Sequence, residues 1–237
     1  MKKTGIICLL LLAMTAVRAQ KFVISDANAQ LRPAAAFTGV RVSSAIDLYL
    51  SQGDETGVAV SAEDPAVRDR IKTEVKDGEL RIWFDGQNWK NWRSTRKMKA
   101  YVSIKTIESL KADGASDIKL MGRIKADKLS VDLNGASDMT GELDCNKLDM
   151  DLSGASDLTI TGNIGAASMR LGGASSVKGW GLATDYCEID AGGASSANVI
   201  VNKELSVKAG GASDVRYKGN GVIKEMKTSG ASSVSKK

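Results

Sequence analysis

Leu148-Asp149-Met150-Asp151-Leu152-Ser153-Gly154-Ala155-Ser156-Asp157-Leu158 is the stretch that decides the fold. Apolar and polar residues alternate up to Leu152, a Gly-Ala-Ser break follows, and alternation resumes at Leu158. Period-two alternation marks a strand with one buried face. The break recurs: Gly-Ala-Ser begins at Gly114, Gly135, Gly154, Gly173, Gly193, Gly211 and Gly230, at intervals of 21, 19, 19, 20, 18 and 19 residues. Repetition at this period predicts stacked units. The sixth, fourth and second residues before each Gly form apolar columns, as in Leu129-Val131-Leu133, Met150 with its two leucines, and Cys187-Ile189-Ala191. Another column stands four residues after each Gly: Ile118, Met139, Leu158, Val177, Ala197, Val215 and Val234. No 3.6-residue period appears. The fold class is therefore all-β, a parallel β-helix with coils of ~19 residues and at least two strands per coil. The chirality of parallel crossovers makes it right-handed.

Working outward, residues 37–110 carry strand-like runs without the tripeptide: Val40-Arg41-Val42, Ile46 to Leu50, Val58-Ala59-Val60 and Leu80 to Phe84. Asp77-Gly78 signals a hairpin, and Asp64-Pro65 before Val67 and Ile71 signals one short capped helix. These strands are expected to form opening coils or a cap, in one domain over 37–236 with the repeats at 111–236. Residues 20–36 form an Ala-rich lead-in. Residues 1–19 have the layout of a signal peptide: basic Lys2 and Lys3, an apolar run from Gly5 to Ala16, and the small-residue site Val17-Arg18-Ala19. Its apolar run is too short to span a membrane as a helix. Without residues 1–19, three of the 33 Lys and Arg are lost, leaving 30 against 28 acidic residues and a charge of +2. That balance gives nucleic acid no support as a partner. The chain has no histidine, which excludes Ser-His-Asp and Cys-His catalysis and most zinc sites.

The succession FTGVRVSSAIDLYLSQGD, GVAVSAED and DGELRIWF, followed by repeated GASD coils, resembles the auto-transporter adhesin head GIN domain family across Phe37 to Val234. The resemblance implies a β-helical exported protein of the kind common in Bacteroidota-type bacteria. It defines no functional residues to carry over. An auto-transporter passenger is followed by a membrane barrel built from many strands. This chain stops at Lys237, so self-export across an outer membrane is not expected.

Three constellations are candidates for chemistry. The third residue before each Gly faces outward and reads Lys111, Asp132, Asp151, Arg170, Asp190, Lys208, Lys227. A solvated charge ladder is one reading. The other is a site like that of β-helical polysaccharide lyases, with Asp132, Asp151 and Arg170 as its core and Glu188 and Asp190 beside it. The residue after each Gly-Ala-Ser stacks Asp117, Asp138 and Asp157, which reads as turn chemistry or as a weak calcium site. Finally, Trp89, Lys90, Trp92 and Arg93 fall in a polar loop, where aromatic rings beside cations suit a sugar ring or a protein partner. Cys145 and Cys187 occupy different columns about two coils apart, too far for a disulfide, and are expected as buried free thiols.

These features together favour a non-enzymatic exported protein of the periplasm, cell surface or outer-membrane envelope, binding glycan or an envelope or host protein. A carbohydrate-active enzyme and a structural or sensory periplasmic module are the alternatives. A monomer is favoured over a homo-oligomer, because Lys224, Met226 and Thr228 replace three apolar residues in the last coil.

Overall fold

The inward columns require stacked strands. In the computed structural model, which describes residues 24–87 and 97–237, they produce a β-solenoid of about seven turns with coils of about 19 residues. The opening segment comprises β1 (Gln30–Leu31), β2 (Gly39–Val42), β3 (Ile46–Gln52), β4 (Gly57–Ser61), α1 (Pro65–Arg68), β5 (Ile71–Lys76), β6 (Glu79–Phe84), β7 (Met98–Ile104) and β8 (Ser109–Ala112). The long coils follow as β9 (Ile118–Leu133), β10 (Asp138–Leu152), β11 (Asp157–Leu171), β12 (Ser176–Ala191) and β13 (Ser196–Ala209). The last turn comprises β14 (Asp214–Lys218), β15 (Val222–Thr228) and β16 (Ser233–Lys236).

The long coils pair in parallel in sequence order, and every Gly-Ala-Ser repeat returns to the same corner. In β12 the buried side chains run Val177, then Leu182 and Thr184, then Cys187, Ile189 and Ala191. Alternation slips at Trp180-Gly181 and again at Tyr186, so each coil has three sides where the sequence required at least two. At the Gly-Ala-Ser corner, Gly154 has φ +77°, and a Cβ there would stand 2.3 Å from the Gly135 carbonyl oxygen. That oxygen accepts the Ala155 N–H at 2.7 Å. Only glycine permits both the left-handed backbone and the close approach. Ser156, fully buried, donates its hydroxyl to the Ser153 carbonyl at 3.0 Å, satisfying a polar group that the turn places inside.

The opening coils are not stacked in sequence order. β3 lies between β7 and β9, and β2 lies between β6 and β8, all in parallel. The coil that comes second in the chain is thus outermost. Beyond it the sheet turns antiparallel: β4 pairs with β7, β5 with β6, and β1 with β4. The Asp77-Gly78 turn between β5 and β6 has φ +53° and +74°, as a tight hairpin needs. Asp64 caps α1 by accepting the Ala66 N–H at 2.8 Å. Trp83 is only half-buried, because Leu80 and Ile82 take the inward positions of β6.

The last coil corrects the column count. A β-bulge sets Ile223, not Lys224, over Leu205, with Met226 over Val207 and Thr228 over Ala209. Lys224 instead turns outward to Glu204 at 2.9 Å. Two of the three inward positions are therefore apolar, and Ile223 and Met226 are 37% and 44% exposed because no further described strand covers them.

Candidate functional site

The charged column before each glycine is assembled in the expected register, Lys111, Asp132, Asp151, Arg170, Asp190, Lys208 and Lys227. Asp151 and Arg170 pair at 3.5 Å with side chains 53% and 65% exposed. Burial pushes the Asp132 carboxyl above the ordinary range and Asp151 adds to it, while Lys111 opposes. Asp151 and Arg170 in this ladder stand open to solvent, while Asp132 is partly buried. Glu188 lies in the adjacent outward column of the same face, aligned with Ser168.

The aspartate column gains a member that the repeats did not mark, since Asp47 aligns with Asp117. Burial pushes the Asp117 carboxyl up, and the charges of Asp47 and Asp138 push it further. Asp138 accepts the Asp157 N–H at 3.3 Å, and Asp157 pairs with Lys178 at 2.7 Å. Each carboxylate is thus occupied by a backbone amide or a lysine. Among the described residues no three ligating side chains converge to hold a metal, so the calcium reading of Asp117, Asp138 and Asp157 gains nothing. Cys145 and Cys187 are both free and buried. Burial pushes the Cys187 thiol up to about 12, which removes it as a nucleophile.

Trp89, Lys90, Trp92 and Arg93 lie outside the described residues. Their anchors are described: Phe84 ends β6 and Met98 begins β7 opposite Ile46. These two anchors stand at the corner line of the solenoid, where the other coils carry Gly-Ala-Ser.

A surface that the sequence reading passed over lies on the side formed by the second half of each coil. There Gly165-Ala166-Ala167-Ser168 of β11 replaces the bulkier Asn146-Lys147-Leu148-Asp149 of β10 and Asp185-Tyr186-Cys187-Glu188 of β12. The small side chains leave an open groove of about 370 Å³ that reaches from Lys147 and Asp149 past Tyr186 to Glu204 and Lys224. Tyr186 is 49% exposed. Lys203 of the next coil holds its ammonium 5.4 Å from the ring centre and pairs with Asp185 at 2.8 Å. The column comparison Lys128, Lys147, Ala166, Tyr186, Glu204 was available in the sequence. Its signal is a gap in side-chain volume rather than a motif.

Parallel coils with outward charged ladders and buried thiols define the class of fold, a β-solenoid. The family described as putative auto-transporter adhesin, head GIN domain, matches residues 36–221, and the chain belongs to it. A crystal structure of a putative adhesin from Bacteroides fragilis superposes with a TM-score of 0.77 at 19% identity, covering 88% of this chain and 95% of that one. A putative adhesin from Parabacteroides distasonis gives 0.70 at 20% identity, with 88% and 95% covered. A putative lipid binding protein from the same species gives 0.68 at 16% identity, with 89% and 97% covered. At these identities the likeness is one of fold. No functionally curated protein matches the chain.

Proposed function

We propose that this protein is a non-enzymatic adhesin-like scaffold, exported after removal of residues 1–19 and presented in the periplasm or at the cell surface. One observation carries the reading. The faces of the solenoid are strands paired on both sides, and the polar side chains on them stand in fixed rows at ~4.8 Å with no described loop folded over them. Such a surface recognises by side-chain pattern. The family and the named neighbours support binding, and nothing among them supports the lyase-like alternative. No described helix is long and apolar enough to cross a membrane.

The segment from Gln87 to Lys97, carrying Trp89, Lys90, Trp92 and Arg93, is the contact surface for a protein of the envelope or a host matrix. Its aromatic rings interleaved with cations in the sequence favour this second surface. The test is a solid-phase array of host matrix proteins, bacterial envelope fractions and polysaccharides, probed with the chain from residue 20 onward. Retention on at least one class, with no shortening or unsaturation of any polysaccharide, is expected. Retention on none, or release of cleaved products, overturns the scaffold reading.

A further inference from the structure

We infer that the groove beside Tyr186 binds a neutral saccharide chain laid parallel to the solenoid axis. The inference rests on the scaffold reading above and names its ligand class. Ser168, Glu188 and Ser206 align in register on successive coils and line this groove. Among the described residues none of these three side chains makes a hydrogen bond or an ion pair, and neither does the Tyr186 hydroxyl. Polar groups on the adjacent side are engaged by contrast, as Asn146 is with Asp127 at 2.7 Å and Asn163 with Asp144 at 3.3 Å. The groove thus holds a line of solvent-facing donors and acceptors without protein partners, one on each of β11, β12 and β13, flanked by the ion-paired Asp149 and the Glu204–Lys224 pair. Their spacing of ~4.8 Å is close to the length of one hexopyranose in an extended chain, so each sugar meets one polar group.

The aromatic contact fits the same ligand. Lys203 approaches the ring from the β13 side, and the ring shares the groove lining with Ala166 on the β11 side. An exposed ring backed by a cation is a stacking platform for the C–H face of a sugar. The charge is nearly balanced, with Lys147 and Lys224 against Asp149, Glu188 and Glu204, which argues against a polyanion. An extended peptide would need a free strand edge. Along the groove β11, β12 and β13 are each paired on both sides, and the one free edge is that of β15 at its end, where a peptide would pair across the groove's end rather than lie along it. From Lys147 to Lys224 the groove crosses four coil steps, room for about four sugars at ~4.8 Å each.

Titration calorimetry of the full chain with cello-, chito-, malto- and laminari-oligosaccharides of two to six residues tests this. At least one series should bind, with affinity rising to about four residues and then levelling, since further units extend past the groove. Tyr186→Ala should weaken that binding by about tenfold and Tyr186→Phe by less than about threefold, the platform being the ring. Tyr186 is half-exposed, so an unchanged melting temperature shows that the Ala variant folds. Glu188→Gln should weaken binding while leaving its length dependence intact. No binding by any series up to millimolar concentration overturns the groove assignment, as does binding that Tyr186→Ala leaves unchanged. Either result leaves the scaffold reading standing if the chain still adheres to the matrix or envelope array. An array that retains nothing, together with saccharide binding in solution, would instead sink the adhesive role and keep the groove.

Discussion

The two ends of the solenoid are finished differently. At the N-terminal end the outermost coil, β6 and β7, is covered by antiparallel β5 and β4, and β1 extends the cover. At the C-terminal end β15 and β16 pair on one side only, and the inward-facing Ile223 and Met226 are partly exposed. Lysines stand along that open edge: Lys224, Lys227 and Lys236. Charge on an edge strand discourages pairing with other chains. The comparison teaches that an apolar column stabilises only in proportion to the coils on both sides of it.

The largest test compares one column at two depths. Met150 and Met226 occupy the same inward column, but Met150 is 3% exposed and Met226 44%. Met150→Asp should cost several kcal/mol, because a carboxylate is taken from water without a partner, and Met226→Asp less than about 1 kcal/mol. Equal losses in chemical denaturation would break the comparison. Corner glycines grade in the same way. A Cβ on Gly154 would sit 2.3 Å from the carbonyl of the preceding corner and one on Gly230 2.7 Å, so Gly154→Ala should destabilise by about 2–3 kcal/mol and Gly230→Ala by less.

The covered end depends on Glu79. Its carboxylate lies within 3.4 Å of Arg41, 3.1 Å of Arg81 and 3.1 Å of Lys111. Burial pushes this carboxyl up most strongly, but hydrogen bonds from Lys111 and Arg81 and the charges of Lys111 and Arg41 outweigh it, so the group sits below its ordinary value. Its contribution is complete above the unfolded-state value of about 4.3 and is lost as pH falls through the lower folded value. Glu79→Gln should therefore lower the melting temperature at pH 7, by about 1–2 kcal/mol in stability, with the gap to the parent closing as pH falls below the ordinary carboxylate range. A constant gap would show that the effect is one of packing. Hydrogen exchange gives a finer contrast: amides from Val222 to Val234 should exchange far faster than those from Leu148 to Leu171. Asp151→Asn should change least, within about 0.5 kcal/mol, since its pair with Arg170 is exposed.

How much of this was legible in the sequence depends on whether a residue carried a register mark. Gly-Ala-Ser fixed the coil length, the inward columns and the charged ladders, because a corner that admits only glycine writes its position into the chain. The opening strands carry no such mark. At the corner opposite Gly114 the backbone turns through Ser44 and Ala45 at φ +69° and +60°, so nothing in the composition announces a coil. Hence the interleaving of β2 and β3 and the alignment of Asp47 with Asp117 were hidden. The bulge at Lys224 was hidden because a count from the glycine assumes unbroken alternation. The groove was missed for the opposite reason: it is an absence of side-chain volume at Ala166, where motif reading looks for what is present. Trp89 and Trp92, conspicuous in the sequence, fall outside the described residues.

The interleaved opening coils also set how the molecule answers to tension. From the C-terminal side, β16 and then β15 can be peeled from a single neighbour, one ladder at a time, like a zip. From the N-terminal side, once β1 has parted from β4, the pull reaches β2 and β3, each held between two parallel strands. Neither can swing free; each must slide lengthwise and break both of its ladders together. Resistance to such a load is governed by the barrier to unfolding rather than by equilibrium stability. A scaffold tethered through its N-terminal side would thus stay folded under drag that unravels the same coils pulled from the other end.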